Sequence, residues 1–172
     1  MTSYKEKLKN IDTFIFDIDG VFTDGSILIT ETDYARKFNA KDGYAIQLAS
    51  KSGFQIFIIT GGRSETVRKA MLHLGCKDVI LQARNKVASF NQLKEKYQLN
   101  EDTCLYLGDD MPDISLLKIV HLSACPQDAA IDVKDICDYQ SPYKGGEGCV
   151  RDVIEQTLRV QSKWDKDGNH EW

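Results

Sequence analysis

A long hydrophobic run, a basic tract and a Cys-x-x-Cys pair are all absent from this sequence, and each absence argues against a class of protein. Without an apolar segment long enough to cross a bilayer or to direct export, we expect a cytoplasmic protein rather than a membrane protein. Lys and Arg total 22 against 26 Asp and Glu, so no basic surface is available to attract nucleic acid or anionic lipid. We therefore expect a small-molecule substrate, with no nucleic-acid or membrane partner.

The five cysteines are an odd number without regular spacing, which argues against a disulfide framework and against a zinc site. Buried free thiols are expected instead. Apolar residues make up 42% of the chain and charged residues 28%, as is typical of one globular domain. We expect that domain to span residues 1–162 and to be followed by a polar C-terminal tail over residues 163–172.

An apolar run that ends abruptly in carboxylates is the most informative stretch, with the sequence TFIFDIDGVFTDG over residues 13–25. β-Forming residues cut off by Asp and Gly predict a buried strand whose carboxyl end opens into a loop. Asp17 and Asp19 are two residues apart, so in an extended backbone their side chains leave on the same side and can converge on one cation. An ionised aspartate can also serve as a nucleophile toward phosphorus.

Strands and helices alternate along the rest of the chain. Apolar runs at 54–59, 78–81, 104–107 and 120–123 predict strands, and a helical pattern follows each of them. A β-hairpin over residues 25–39 is predicted to project from the loop after the first strand. This alternation predicts an α/β fold with a mostly parallel sheet covered on both faces. Right-handed crossovers then bring the carboxyl ends of the strands to one edge. The side chains collected there are Asp17, Asp19, Thr60, Lys86, Asp109, Asp110 and Asp113.

These side chains suit phosphoryl transfer. Asp17 would attack phosphorus and form an aspartyl-phosphate, while Asp19 would protonate the leaving alcohol and then activate water. A Mg²⁺ ion held by Asp17, Asp19 and a carboxylate from Gly108-Asp109-Asp110 would neutralise phosphate charge that the acids would otherwise repel. The groups expected to bind the remaining phosphoryl oxygens are Thr60, the backbone N–H groups of Gly61 and Gly62, and Lys86.

The order of these motifs, DxDG, a strand ending in Thr-Gly, a lysine and GDDxxD, resembles the haloacid dehalogenase superfamily of phosphohydrolases. More narrowly, the stretches DIDGVFTDG, FNAKDGYAI and GGEGCVRDVIE are similar to the 3-deoxy-D-manno-octulosonate 8-phosphate phosphatases. The lack of an inserted cap domain fits the same family, and the similarity covers almost the whole chain.

The resemblance implies a Rossmann-like three-layer sandwich without a cap, assembled as a homotetramer in which hairpins and tails of neighbouring subunits close the active sites. It implies a Mg²⁺-dependent phosphoric monoester hydrolase that acts on a sugar-acid phosphate in lipopolysaccharide precursor synthesis. Asp17 is then the nucleophile, Asp19 the acid and base as well as a metal ligand, and Asp109 the remaining side-chain ligand.

Several other residues are further candidates for the site. Asp110 stays an alternative metal ligand, and Asp113 is expected to orient Lys86 or a metal-bound water from behind the site. The candidate substrate-binding residues are Arg63, Arg68, Gly145 and Gly146.

The residue after Thr-Gly departs from the family pattern. Octulosonate phosphatases usually carry Arg there and nonulosonate-type relatives carry Glu, whereas this chain reads Thr60-Gly61-Gly62-Arg63. An Arg in this region suits the carboxylate or phosphate of the substrate. The shift leaves a second substrate open, a nonulosonic (sialic-type) acid 9-phosphate.

Two readings without hydrolysis are weaker. A phospho-receiver domain also groups acidic residues, Thr and Lys at a sheet edge, but its Lys comes last, whereas Lys86 precedes Asp109 and Asp110. A non-catalytic tetramerising module would not need every acidic position, and here all of them are intact.

Overall fold

A six-stranded parallel sheet forms the centre of the molecule in the computed structural model, which describes residues 3–31 and 34–164. The strands in chain order are β1 (Thr13–Phe16), β2 (Leu28–Ile29), β3 (Tyr34–Ala35), β4 (Gln55–Ile59), β5 (Asp78–Ile80), β6 (Cys104–Leu107), β7 (Leu122–Cys125) and β8 (Tyr139–Gln140). Spatially the sheet runs β5-β4-β1-β6-β7-β8, and every neighbouring pair is parallel. The predicted parallel α/β fold is therefore confirmed.

Helices cover both faces of this sheet. They are α1 (Tyr4–Lys7), α2 (Ala40–Lys51), α3 (Glu65–His73), α4 (Lys86–Tyr97), α5 (Ile114–Leu117), α6 (Ile131–Lys134) and α7 (Cys149–Val160). One hydrophobic core lies between the sheet and α2, α3 and α7, and a second lies between the sheet and α4, α5 and α6. The result is a three-layer sandwich, and the described residues include no domain inserted as a cap.

β1 lies at the centre of the sheet, and its carboxyl end leads directly into the Asp-x-Asp-Gly motif that begins at Asp17. Phe14 and Phe16 face one core and Ile15 the other, which explains the continuous apolar run in the sequence. The Asp17 N–H still donates to the Leu107 carbonyl, at 3.1 Å. From Ile18 onwards the chain turns, since the N–H groups of residues 21–23 donate back to the Ile18 carbonyl.

The predicted hairpin is confirmed, although its strands are shorter than the alternating segments indicated. β2 and β3 pair antiparallel, with Leu28 opposite Ala35, and residues 32 and 33 at its tip lie outside the described residues. The side chains of Leu28 and Ile29 are exposed to solvent. A two-stranded sheet of this size buries too little to be stable alone.

Several predicted boundaries were wrong. The fifth predicted strand is displaced from residues 120–123 to β7, and the short helix predicted over 128–133 begins only at Ile131. The Asp128 carboxylate lies before that helix and accepts the Gly145 N–H. β8 has only two residues, too few to show the hydrophobic pattern of a strand in the sequence. Trp164, which the prediction placed in the tail, packs against the core between the sheet and α2, α3 and α7.

Two further expectations concern the whole chain. All five cysteines are free, and four of them are buried, as predicted. Among the described residues no helix combines the length and apolarity that a membrane crossing requires.

Candidate active site

A cavity of about 570 Å³ opens at the carboxyl edge of β1, β4 and β6. Parallel strands deliver the ends of several loops to one place, which is where such folds bind ligands. Most of the site residues predicted from the sequence line this cavity, namely Asp17, Asp19, Thr60, Gly61, Lys86, Asp109, Asp110 and Asp113.

The Lys86 ammonium lies at the centre of the buried charges. Its Nζ is 2.8 Å from Asp17 Oδ2, contacts Asp113 Oδ1, and is 3.2 Å from the Tyr106 hydroxyl. Burial alone would lower the pKa of Lys86, but the two carboxylates outweigh it and raise the pKa above its ordinary value. Lys86 is therefore a permanent cation that helps to keep Asp17 ionised.

Asp113 connects the loop that contains Asp109 and Asp110 to Lys86. Its Oδ2 accepts the backbone N–H groups of Asp109 and Asp110 at 2.9 and 3.1 Å, while its Oδ1 contacts Lys86 and accepts the Tyr106 hydroxyl. Burial, followed by the nearby carboxylates, raises the pKa of Tyr106 far above its usual range, so the hydroxyl stays a donor. This geometry fits the predicted role of Asp113 in orienting Lys86.

Three carboxylates form a site that fits a divalent cation. One oxygen each from Asp17, Asp109 and Asp113 lies within 4.8 Å of the others, and Asp17 Oδ1 is buried without a hydrogen-bond partner. Burial raises the pKa of Asp17 to about 6, against the opposing effect of Lys86. Burial and the neighbouring carboxylates raise the pKa of Asp109 to about 8. Such repulsion between oxygen donors is what a hard cation such as Mg²⁺ relieves.

The geometry of this group bears on the predicted ligands. Asp109 belongs to it and Asp110 does not, which favours Asp109 as the metal ligand of the pair. Asp19 lies outside it, and the third member of the group is Asp113. The extended backbone on which convergence of Asp17 and Asp19 depends ends at Asp17, because the chain turns after Ile18, and a ligand role for Asp19 stays a prediction.

Asp19 is instead ion-paired with Arg36 on the hairpin. Arg36 Nε is 2.6 Å from Asp19 Oδ1, and Arg36 Nη2 is 2.9 Å from Asp19 Oδ2. The pair is bidentate, the geometry in which a guanidinium fixes a carboxylate most firmly. Asp19 still lines the cavity, so it can reach a group bound there.

The turn after β4 supplies one wall of the cavity. Thr60 is buried, and its Oγ1 accepts the Gly62 N–H at 3.1 Å. That N–H was predicted to bind phosphate, but here it is used within the turn. Thr60 and Gly61 line the cavity as expected.

The two arginines predicted to bind substrate lie away from the carboxylates. The Arg63 guanidinium stacks over the Tyr34 ring, 5.1 Å from its centroid. Arg68 is on the exposed side of α3, with Nη1 3.8 Å from Glu65 Oε1. Neither lines the cavity around Asp17, so a role in substrate binding stays a prediction for both.

Gly145 and Gly146 pack against the loop that follows β1. The Gly146 N–H donates to the Val21 carbonyl at 2.9 Å, and a side chain on Gly145 would overlap the Gly20 carbonyl. Glycine at position 145 allows this close approach of two backbones. Both residues therefore help to shape the loop that follows β1. Their direct contact with substrate stays a prediction.

Sequence reasoning missed three residues of the site, Arg36, Arg84 and Tyr106. Arg84 lines the cavity two positions before Lys86, and its place after β5 was a usable signal. Tyr106 lies in the continuous apolar run of β6, in which every residue is buried, so its sequence context indicates a core residue. Arg36 had no signal, because nothing in the sequence shows how a hairpin folds back on Asp19.

The fold and the site define a haloacid dehalogenase-like hydrolase, and the model of that family matches residues 73–153. The 3-deoxy-D-manno-octulosonate 8-phosphate phosphatase of Salmonella typhi is 33% identical over 96% of this chain and 88% of its own length. That of Escherichia coli K12 is 34% identical over 93% of this chain and 86% of its own. The chain belongs to the 3-deoxy-D-manno-octulosonate 8-phosphate phosphatase family.

Solved structures give the same result. The Moraxella catarrhalis phosphatase, in complex with magnesium ion, phosphate ion and KDO, is 29% identical and superposes with a TM-score of 0.90 over 94% of this chain and 93% of its own. The cobalt-bound Haemophilus influenzae phosphatase is 28% identical, with a TM-score of 0.89 over 95% of this chain and 98% of its own.

Proposed function

We propose that this protein is a Mg²⁺-dependent phosphohydrolase that releases phosphate from a sugar-acid phosphate, 3-deoxy-D-manno-octulosonate 8-phosphate. The observation that carries the proposal is the buried Asp17–Lys86 contact beside the carboxylates of Asp109 and Asp113. An ionised aspartate with one oxygen unpartnered is available to attack phosphorus. Family membership favours this enzyme over a phospho-receiver or a non-catalytic module.

The first half of the reaction transfers the phosphoryl group to the protein. An oxygen of Asp17 forms a bond to phosphorus while the bond from phosphorus to the sugar oxygen breaks. Asp19 donates its proton to that departing oxygen, so the sugar leaves as a neutral alcohol. Lys86, Thr60 and the N–H of Gly61 are placed to hold the phosphoryl oxygens.

The second half restores the enzyme. Asp19, now ionised, takes a proton from water, and the water oxygen attacks the phosphorus of the aspartyl-phosphate. The bond between phosphorus and Asp17 breaks, which releases inorganic phosphate and regenerates the carboxylate. Asp19 has then recovered its proton, so atoms and charge balance over the cycle.

The residues that would hold Mg²⁺ are Asp17 and Asp109, with Asp113 beside them. The ligand role expected of Asp19 from the sequence stays a prediction, because its carboxylate pairs with Arg36. When bound, the ion supplies positive charge that offsets both the clustered carboxylates and the incoming phosphate. The donor set is entirely oxygen, as a hard cation prefers.

The choice of sugar is supported by the relatives, whose named substrate is 3-deoxy-D-manno-octulosonate 8-phosphate. Gly62 in place of the family's usual Arg keeps a nonulosonic acid 9-phosphate as the second candidate. Phosphate release from both sugar-acid phosphates, measured with Mg²⁺, separates the two. A preference for the 8-phosphate in kcat/KM is expected, and a preference for the 9-phosphate would reverse the assignment.

The quaternary structure is also part of the proposal. Ile27, Leu28 and Ile29 on the hairpin are 44%, 67% and 75% exposed, more apolar surface than a free hairpin of this size normally leaves in water. A homotetramer in which hairpins and tails of neighbours close the site would bury it. A cytoplasmic location stays a prediction.

The tail requires a test that spares Trp164. The Trp164 ring lies 5.2 Å from the Arg151 guanidinium and 5.6 Å from that of Arg159. Cutting the chain before Trp164 would therefore damage the domain itself. Removal of residues 165–172 should change KM or kcat several-fold while sedimentation still reports a tetramer. Unchanged kinetics would remove the tail from the mechanism, and an active wild-type monomer would remove the tetramer.

A further inference from the structure

Arg36 is a buried cation on an otherwise exposed hairpin. Its side chain is 6% exposed, whereas the neighbouring hairpin residues Ala35 and Lys37 are exposed to solvent. Arginine is seldom buried unless it is paired, and its partner here is Asp19. The hairpin therefore inserts one charged side chain into the site, while Ala35 and Lys37 on either side of it stay outside.

The space that the guanidinium occupies is left open by Gly62. A Cβ atom at position 62 would lie 3.4 Å from Arg36 Nη2 and 3.8 Å from Asp19 Oδ2. A long side chain there would compete with Arg36 for the same volume. The departure at position 62 and the insertion of Arg36 are therefore complementary features of this chain.

We propose that Arg36 is a positioning residue for the general acid and base, through its bidentate pair with Asp19. This inference rests on the proposed function, in which Asp19 protonates the leaving alcohol. The two N–H groups of Arg36 use two of the four lone-pair directions of the carboxylate. The remaining two stay available for proton exchange with the leaving oxygen and with water.

The hairpin backbone fixes the guanidinium in turn. Arg36 Nη1 donates to the Tyr34 carbonyl at 3.0 Å, and the Arg63 guanidinium stacks on the Tyr34 ring. The orientation of Asp19 is thereby set by a segment that contributes no catalytic atom of its own. The conformation of the hairpin and the efficiency of proton transfer are coupled through this one ion pair.

Leaving-group dependence tests this role specifically. An alkoxide of a sugar must be protonated as it leaves, whereas nitrophenolate leaves readily without a proton. General acid catalysis contributes about 10²- to 10⁴-fold where it is needed. Arg36→Gln should therefore lower kcat/KM for the sugar-acid phosphate by about 100-fold, but for p-nitrophenyl phosphate by less than about fivefold.

Two further variants complete the experiment. Arg36→Lys keeps the charge and loses the bidentate geometry, so we expect an intermediate loss with the same substrate dependence. Lys37→Gln removes the adjacent exposed charge on the same hairpin and should leave kcat/KM unchanged for both substrates. If Arg36→Gln fails to fold by circular dichroism, Arg36→Lys carries the comparison.

Equal losses on the two substrates in the Arg36 variants would overturn the inference, because they would indicate a general role in folding or phosphate binding. Losses no larger than those of Lys37→Gln would overturn it as well. Failure of the proposed function looks different, since the wild-type enzyme would then release no phosphate from the sugar-acid phosphate. Glycerol phosphate would replace it as the alkyl ester, and the ratio between substrates would still judge Arg36.

Discussion

Within residues 3–31 and 34–164, two regions bury carboxylates, and they compensate the charge in different ways. At the carboxyl edge of the sheet, Asp17 and Asp113 share the ammonium of Lys86. At the junction of α2 and α7, Asp42 is fully buried and has a backbone partner, the Arg151 N–H at 2.8 Å from its Oδ1. In the first region a lysine side chain compensates the negative charge. In the second region a backbone N–H at the amino end of α7 does so.

The second region is structural. Gly148 precedes α7 and has no side chain with which to cap it, so Asp42 reaches across from α2 to accept an N–H in the first turn. Asp42 Oδ2 has no partner, and burial, partly opposed by Arg151, raises the pKa of Asp42 to about 6. A buried acid alone therefore does not mark an active site, whereas a cavity, a buried cation and further carboxylates together do.

The largest effect is expected at the nucleophile. Asp17→Asn should lower kcat by at least about 10⁴-fold, because the amide that replaces the nucleophilic carboxylate cannot form an aspartyl-phosphate. The matched control is Asp12→Asn, which changes the carboxylate just before the other end of β1 and should leave kcat intact. Activity of the Asp17 variant within about tenfold of wild type would contradict the assignment of the nucleophile.

Removal of metal should have the next largest effect. Chelation should abolish phosphate release, and Ca²⁺ should bind yet support little turnover, because its looser coordination misplaces the attacking oxygen. Mg²⁺ at about 100 times its Kd should also raise the free energy of unfolding by about 2.7 kcal/mol. Asp109→Asn should weaken that stabilisation, as measured by thermal unfolding. Full activity in chelator would refute the metal site.

A comparison of two lysines separates buried from exposed pairing. Lys86→Met should destabilise the protein by about 3 to 5 kcal/mol, because Asp17 and Asp113 lose their shared cation. Lys7→Met removes a pair with Asp138 at the surface and should cost less than about 1 kcal/mol. Urea unfolding at pH 7 measures both. Similar losses in the two variants would remove the distinction between the regions.

The smallest effect concerns pH and Asp42. The pKa of Asp42 is raised from 3.8 to about 6, so the folded protein holds this proton more tightly and stability contributed by the site falls as pH rises from about 4 to 6. Asp42→Asn removes that penalty and keeps the Oδ1 acceptor. The variant should gain about 2 kcal/mol relative to wild type between pH 4 and pH 7. A constant difference across that range would show that Asp42 does not titrate in this way.

The sequence predicted the parts of the molecule that depend on local pattern. Continuous apolar runs at β1, β4 and β6 indicated strands buried on both faces, and their carboxyl ends placed Asp17, Thr60 and Asp109 correctly at one edge. The order of the motifs was enough to identify the chemistry.

The contacts between distant segments were not predictable in this way. Whether Asp19 meets a cation or Arg36 depends on the turn at Ile18 and on the path of the hairpin, which hydrophobic periodicity does not encode. Tyr106 is indistinguishable from a core aromatic until the position of Asp113 is known. Pairing across the fold, rather than the identity of the residues, decides these roles.

The central claim is that Asp17 carries the phosphoryl group during turnover. Rapid acid quenching of the Mg²⁺-loaded enzyme with substrate, followed by borohydride reduction, converts an aspartyl-phosphate into homoserine at the modified position. Peptide mass spectrometry should find homoserine at position 17 in the wild-type enzyme, and not in enzyme quenched without substrate. Turnover without this modification, or modification of Asp109 or Asp113 instead, would contradict the account.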